Sequence, residues 1–227
     1  MDRWVIFIFP RIHFYKTIES FSVIEYISHN FTVIIDHLGT FAFAISGIRL
    51  AVNKQFDWFG AYVVGFITAI GGGTVRDLLL GVTPFWMLNA SYLIVTAIAL
   101  ISFVFLRRII ERMNITIFLF DAIGLGLFTV VGIEKSLDAN HPFWIAIIMG
   151  MITGSVGGVL RDIAINEIPL IFRREIYALA CVAGGLVFTL CYYLGLSLPW
   201  TNGISATTVI VIRILANRFH VQLPTVK

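Results

Sequence analysis

Between residues 36 and 169 the chain runs through one pattern twice, at a fixed offset of 85 residues. Asp36, Gly39, Phe43 and Gly47 return as Asp121, Gly124, Phe128 and Gly132. Gly65, Ile67, Thr68, Gly72, Gly73, Arg76, Asp77 and Pro84 return as Gly150, Ile152, Thr153, Gly157, Gly158, Arg161, Asp162 and Pro169. Without a gap, 14 of the 49 positions from 36 to 84 are identical in the second copy, and five of them are glycines. Apolar helices share a composition by default, but not glycines, an arginine, an aspartate and a proline at fixed spacing. Each copy carries three apolar runs, and an odd number of crossings lays the second copy upside down relative to the first. Inverted repeats with broken helices build solute-conducting membrane proteins.

At 59% hydrophobic and 13% charged residues, the chain is too apolar for a soluble domain, where roughly a quarter of residues are charged. Its apolar runs approach the ~20 residues that span a bilayer as helix and lack the alternation of barrel strands. The pattern predicts an all-α polytopic membrane protein with seven transmembrane helices, two inverted three-helix repeats plus a seventh helix. Spans are expected at about 31–50, 57–81, 85–106, 115–134, 142–166, 175–196 and 202–219. These form a single membrane domain, 31–219, with repeat one at 31–106, repeat two at 115–196 and an appended seventh helix at 202–219. Residues 1–30 read as an N-terminal extension without assigned chemistry, and 220–227 as a cytoplasmic tail. Arg49, Lys54, Arg107, Arg108, Arg112, Arg173, Arg174, Arg218 and Lys227 then fall on one side. The positive-inside rule makes that side cytoplasmic, which puts the N-terminus outside the cell (inner or plasma) membrane. The net charge of +3 thus sets topology and points to no nucleic acid.

In the second and fifth spans, Thr68, Gly72 and Arg76 share one helical line, as do Thr153, Gly157 and Arg161. Beside them run the small-residue lines Gly65, Ala69, Gly73, Asp77 and Gly150, Gly154, Gly158, Asp162. Small residues at this spacing let helices approach closely, so packing and solute binding both remain open for them. Gly71, Gly72 and Gly73 in a row weaken a helix by about 1 kcal/mol each relative to alanine and invite a kink. The freed backbone groups would then face a watery cavity. Arg76, Asp77, Arg161 and Asp162 are either local ion pairs at span ends or the lining of an aqueous path. Because neighbouring helix positions diverge by 100°, neither arginine is expected to pair well with its own aspartate. The arginines are instead expected to guard the two mouths of a conduit. Asp36 and Asp121 fit either compensation of a helix dipole or a cation-attracting vestibule, and Thr74, Ser155, Ser46 and Thr40 add hydroxyls. The histidines show no metal-ligand spacing, Gly71–Thr74 lacks the ending of a phosphate loop, and no catalytic constellation or cofactor motif is present.

With GGGTVRDLLLG (71–81) and GSVGGVLRDIAINEIP (154–169), each preceded by a span opening on Asp-x-x-Gly, the chain resembles the prokaryotic branch of the trimeric intracellular cation (TRIC) channels. The resemblance covers roughly residues 31–219. It implies a homotrimer in the lipid bilayer with a pore inside each protomer, lined by kinked second and fifth helices. It also implies passive permeability to monovalent cations, chiefly potassium. Carried onto this sequence, the kinks fall at Gly71–Gly73 and Gly157–Gly158. Related sequences are sometimes regarded as carriers of small amino acids such as glycine, which is the alternative reading.

Overall fold

The structure, a computed structural model, describes residues 18–112, 116–173 and 176–221. Residues 1–17, and all of the expected tail beyond 221, lie outside the described residues. The described chain is helical: α1 (Ile18–Asn53), α2 (Trp58–Leu79), a single turn α3 (Phe85–Leu88), α4 (Ser91–Arg112), α5 (Thr116–Asp138), α6 (Phe143–Ala164), a short 3-10 turn (Leu170–Phe172), α7 (Ala178–Tyr193) and α8 (Leu198–Arg218). Among the described residues six helices are long and apolar enough to cross a membrane, with α1 contributing its Phe31–Asn53 part.

Three boundaries differ from the expected ones. α1 reaches back to Ile18, into the segment read as an extension. The expected third span breaks at Asn89, whose backbone is extended and whose Oδ1 accepts the Ser91 N–H at 2.9 Å. This cap satisfies one of the orphan donors that begin α4. The expected sixth span shrinks to α7, which has 16 residues.

α2 starts on Asp57, whose Oδ1 accepts the Gly60 N–H at 2.6 Å. It ends where Gly81 turns left-handed (φ 71°), and α6 ends in the same way at the offset position, Asn166 (φ 56°). Glycine and asparagine are the residues that adopt this conformation at least cost. Pro84 and Pro169 then close the two loops.

The core is the quartet α1, α2, α5 and α6, which make the most extensive helix–helix contacts. Phe43 and its counterpart Phe128 meet edge to face at 5.1 Å, each ring covering the other copy's glycine, Gly124 or Gly39. α2 and α6 cross where Gly72 abuts the Thr153 carbonyl and Gly157 abuts the Thr68 carbonyl. Numbers rise along one helix as they fall along the other, so equivalent helices run antiparallel and exchange equivalent contacts. Inside each copy Gly47 sits on the Thr68 hydroxyl and Gly132 on the Thr153 hydroxyl. Contact this close is what holds helices together where lipid supplies no hydrophobic driving force. α4 lies on α1 and α2, while α7 and α8 pack together beside α5.

Candidate functional site

The expected interruption of the glycine helices is absent: α2 and α6 are helical through Gly71–Gly73 and Gly157–Gly158. Their carbonyls stay in the helix ladder. Each glycine instead makes room for a neighbour. Gly71 faces Leu160, Gly73 faces the Phe85 ring and Gly158 faces the Tyr177 hydroxyl. A β-carbon on Gly72 would strike backbone, not a side chain able to move. Tight packing against another helix offsets the low helix propensity of three glycines, so no kink is needed to explain them.

Thr68, Thr153 and Ser155 are buried. Their hydroxyls donate to carbonyls one turn back, those of Val64, Met149 and Met151, at 2.6 Å each. Each oxygen keeps lone pairs for a further donor or a cation. Thr74 belongs elsewhere. Its hydroxyl donates to Ile70 and accepts the Trp86 indole N–H at 3.1 Å, beside α3.

The charged residues gather into two clusters. In the first, Arg76 donates through Nε and Nη2 to Asp77 Oδ1 at 2.8 and 2.7 Å. Asp77 Oδ2 accepts the Phe85 N–H at 2.9 Å. Phe85 lies 5.6 Å from the Arg76 guanidinium and 4.7 Å from Lys135 Nζ, and 4.4 Å from Tyr92. Tyr92 donates to Asp36 Oδ2 at 2.6 Å, and Lys135 Nζ stands 3.9 Å from the same oxygen.

The second cluster repeats the plan with other partners. Arg161 Nε donates to Asp162 Oδ1 at 2.9 Å, and Asp162 Oδ2 accepts the Leu170 N–H at 3.0 Å. Arg161 Nη1 reaches Asp121 Oδ1 at 2.5 Å and Ser46 Oγ, from the other copy, at 2.9 Å. Arg213 of α8 stands 3.9 Å from Asp121 Oδ2. It lies over the Tyr177 ring (4.8 Å) and the Phe118 ring (5.0 Å) and donates to the Ile176 carbonyl at 3.2 Å.

Two expectations fail here. Each arginine does pair with its own aspartate, because its long side chain folds back past the 100° divergence of the backbone positions. The helix expected as an appendage, α8, is part of the core charge network, since Arg213 gives Asp121 the second cation that Lys135 gives Asp36. Neither Lys135 nor Arg213 was singled out from sequence. The clusters draw them from helices outside the Arg-Asp motif, so no spacing announces them. Tyr92 and Tyr177 did keep the offset of 85, the one signal available for them.

The pairing leaves each cluster with two cations against two carboxylates: Arg76 and Lys135 with Asp36 and Asp77, Arg161 and Arg213 with Asp121 and Asp162. Both arginines are buried at 1% exposure, where an unpaired charge is prohibitively costly. On α1, Asp36 and Ser46 belong to different clusters ten positions apart, about 15 Å along a helix. The clusters thus stand at opposite ends of the quartet, with the glycine crossing between them.

A family model described as glycine transporter matches residues 33–108 and again residues 118–193, one match per copy. A UPF0126 membrane protein of Vibrio cholerae is 42% identical over 194 residues, 85% of this chain and 81% of that protein. A solved structure of a TRIC cation channel superposes with a TM-score of 0.76 at 36% identity, covering 86% of this chain and 96% of that one. The TRIC trimeric intracellular cation channel orthologue from Rhodobacter sphaeroides superposes with a TM-score of 0.78 at 33% identity, over 83% and 98% of the two chains.

Proposed function

The chain belongs to the prokaryotic TRIC channel family, and on that premise we propose that it is a passive channel for monovalent cations, mainly potassium. Each subunit of a homotrimer holds its own conduit, running along α2 and α6 between the two charged clusters. The observation that carries this reading is the charge balance of those clusters. Arginines set near a cation path raise a barrier unless acids neutralise them, and here the carboxylates beside them cancel the charge.

Between the clusters the path runs past Thr68 and Thr153, whose oxygens replace part of an ion's hydration. At the Gly72–Gly157 crossing the helices touch, so conduction requires α2 and α6 to part there. The repeats are inverted in the membrane, with the N-terminus outside and the C-terminus cytoplasmic. The sixth crossing in chain order is made by α7, about 24 Å long, through a locally thinned bilayer.

Purified protein in a planar bilayer under asymmetric KCl tests the reading. Discrete current steps reversing near the potassium potential are expected, and reversal near the chloride potential overturns it. The description of the matching family model favours a second reading, a glycine carrier. Electrical silence together with saturable glycine uptake into proteoliposomes would establish that reading instead.

A further inference from the structure

Away from both clusters, one carboxylate inside the helix bundle has no cationic partner among the described residues. Glu134 of α5 is buried at 6% exposure. Thr32 Oγ1 of α1 donates to its Oε2 at 3.0 Å, and Asn202 Nδ2 of α8 donates to its Oε1 at 2.8 Å. The adjacent Lys135 turns away, toward Asp36 and the Phe85 ring. Asn202 is 1% exposed, and its Oδ1, carried on the amide that binds Glu134, has no hydrogen-bond partner among the described residues. Glu134 and Thr32 line a cleft of about 600 Å³ that also reaches Lys135, Asp138, Tyr192 and Leu198, with the Lys135 amine directed to Asp36.

A buried carboxylate held only by neutral donors, beside a buried amide oxygen without a donor, lacks positive charge. Burial of that kind is unfavourable unless a counter-charge arrives. We infer that Glu134, Asn202 and Thr32 form a binding site for a monovalent metal cation, reached from this cleft and separate from the arginine clusters. All the donors are hard oxygens, the class that suits alkali and alkaline-earth ions. One buried negative charge matches a single positive one. The offset counterpart of Glu134 is Arg49, so the site exists at one end of the molecule only.

The test is the unfolding temperature of purified protein as KCl replaces N-methyl-D-glucamine chloride at constant ionic strength. Wild type is expected to gain stability saturably with potassium. E134Q should raise the half-saturating concentration about tenfold while its stability in N-methyl-D-glucamine is retained or improved. T32V should raise it about threefold, and K54Q, in a distant loop, should respond as wild type. No difference between the two salts in wild type overturns the proposal, as does an E134Q protein with the wild-type potassium response. A stability that follows pH but not potassium means that a proton neutralises Glu134, and also overturns it. Should E134Q fail to fold, T32V decides: an unchanged half-saturating concentration rejects the site.

Discussion

The two Arg-Asp clusters grow from the same stretch of sequence, yet different neighbours complete them. In both, the aspartate divides its oxygens between its own arginine and the N–H eight residues on, so the end of α2 and the end of α6 are built alike. The first cluster is then finished by aromatic rings: Phe85 lies between Arg76, Lys135 and Tyr92, and the Lys135 side chain is 31% exposed. The second has Leu170 where Phe85 would stand. Around Arg161 it is finished by polar groups, Asp162, Asp121 and Ser46, and its rings, Tyr177 and Phe118, lie instead against Arg213, which comes from outside both copies. Duplication supplied the arginine, the aspartate and their loop, while the second cation was recruited separately at each end.

The largest expected contrast follows from that difference. D121N takes from Arg161 and Arg213 the buried carboxylate they share, leaving Asp162 as the one acid of the cluster, and should cost about 3–5 kcal/mol. D36N keeps the Tyr92 hydrogen bond and loses only a partly exposed partner, for about 1 kcal/mol. Thermal or denaturant unfolding of the two variants measures both, and equal losses would erase the distinction. G72A and G157A sharpen it from the opposite side, because their contacts are reciprocal. Each should cost about 1–3 kcal/mol by overpacking the helix crossing, and the two values should agree.

Tyrosines at offset positions separate the clusters again. Y92F removes a hydrogen bond to a carboxylate, at about 1.5 kcal/mol. Y177F removes a buried hydroxyl that has no partner among the described residues, and should be neutral or stabilising. The smallest effect belongs to the loops. Hydrogen bonding and charge from Lys54, with Arg173 nearby, hold the Glu167 carboxyl below the usual carboxylate range. Its contribution is therefore complete above that range and fades as pH falls through the lowered value. E167Q should flatten this acid-side loss in a pH series of unfolding temperatures, because its small contribution is already missing at neutral pH while the acid limb stays as in wild type.

Much of this architecture was legible in the sequence. The offset of 85 announced the paired helices, and the shared Arg, Asp and Pro marked both clusters and their loops. What stayed hidden depended on tertiary neighbours. Asn89 reads as one polar residue in an apolar run until its side chain caps α4. Gly71–Gly73 reads as a break until Leu160, the Thr153 carbonyl and Phe85 fill the space beside it. Lys135 and Arg213 carry no motif, and only the fold brings them to Asp36 and Asp121. Each arginine recoils onto its neighbouring aspartate because its side chain is long enough to span the divergence of the backbone positions.

Rectification of single-channel currents in symmetric KCl most directly tests whether the clusters stand at opposite mouths of one conduit. R76Q leaves excess negative charge at one mouth and R161Q at the other, so each concentrates cations on its own side. With orientation fixed in the bilayer, the two variants are predicted to rectify in opposite directions while wild type stays near linear. Rectification in the same direction, or none in either variant, would contradict the account.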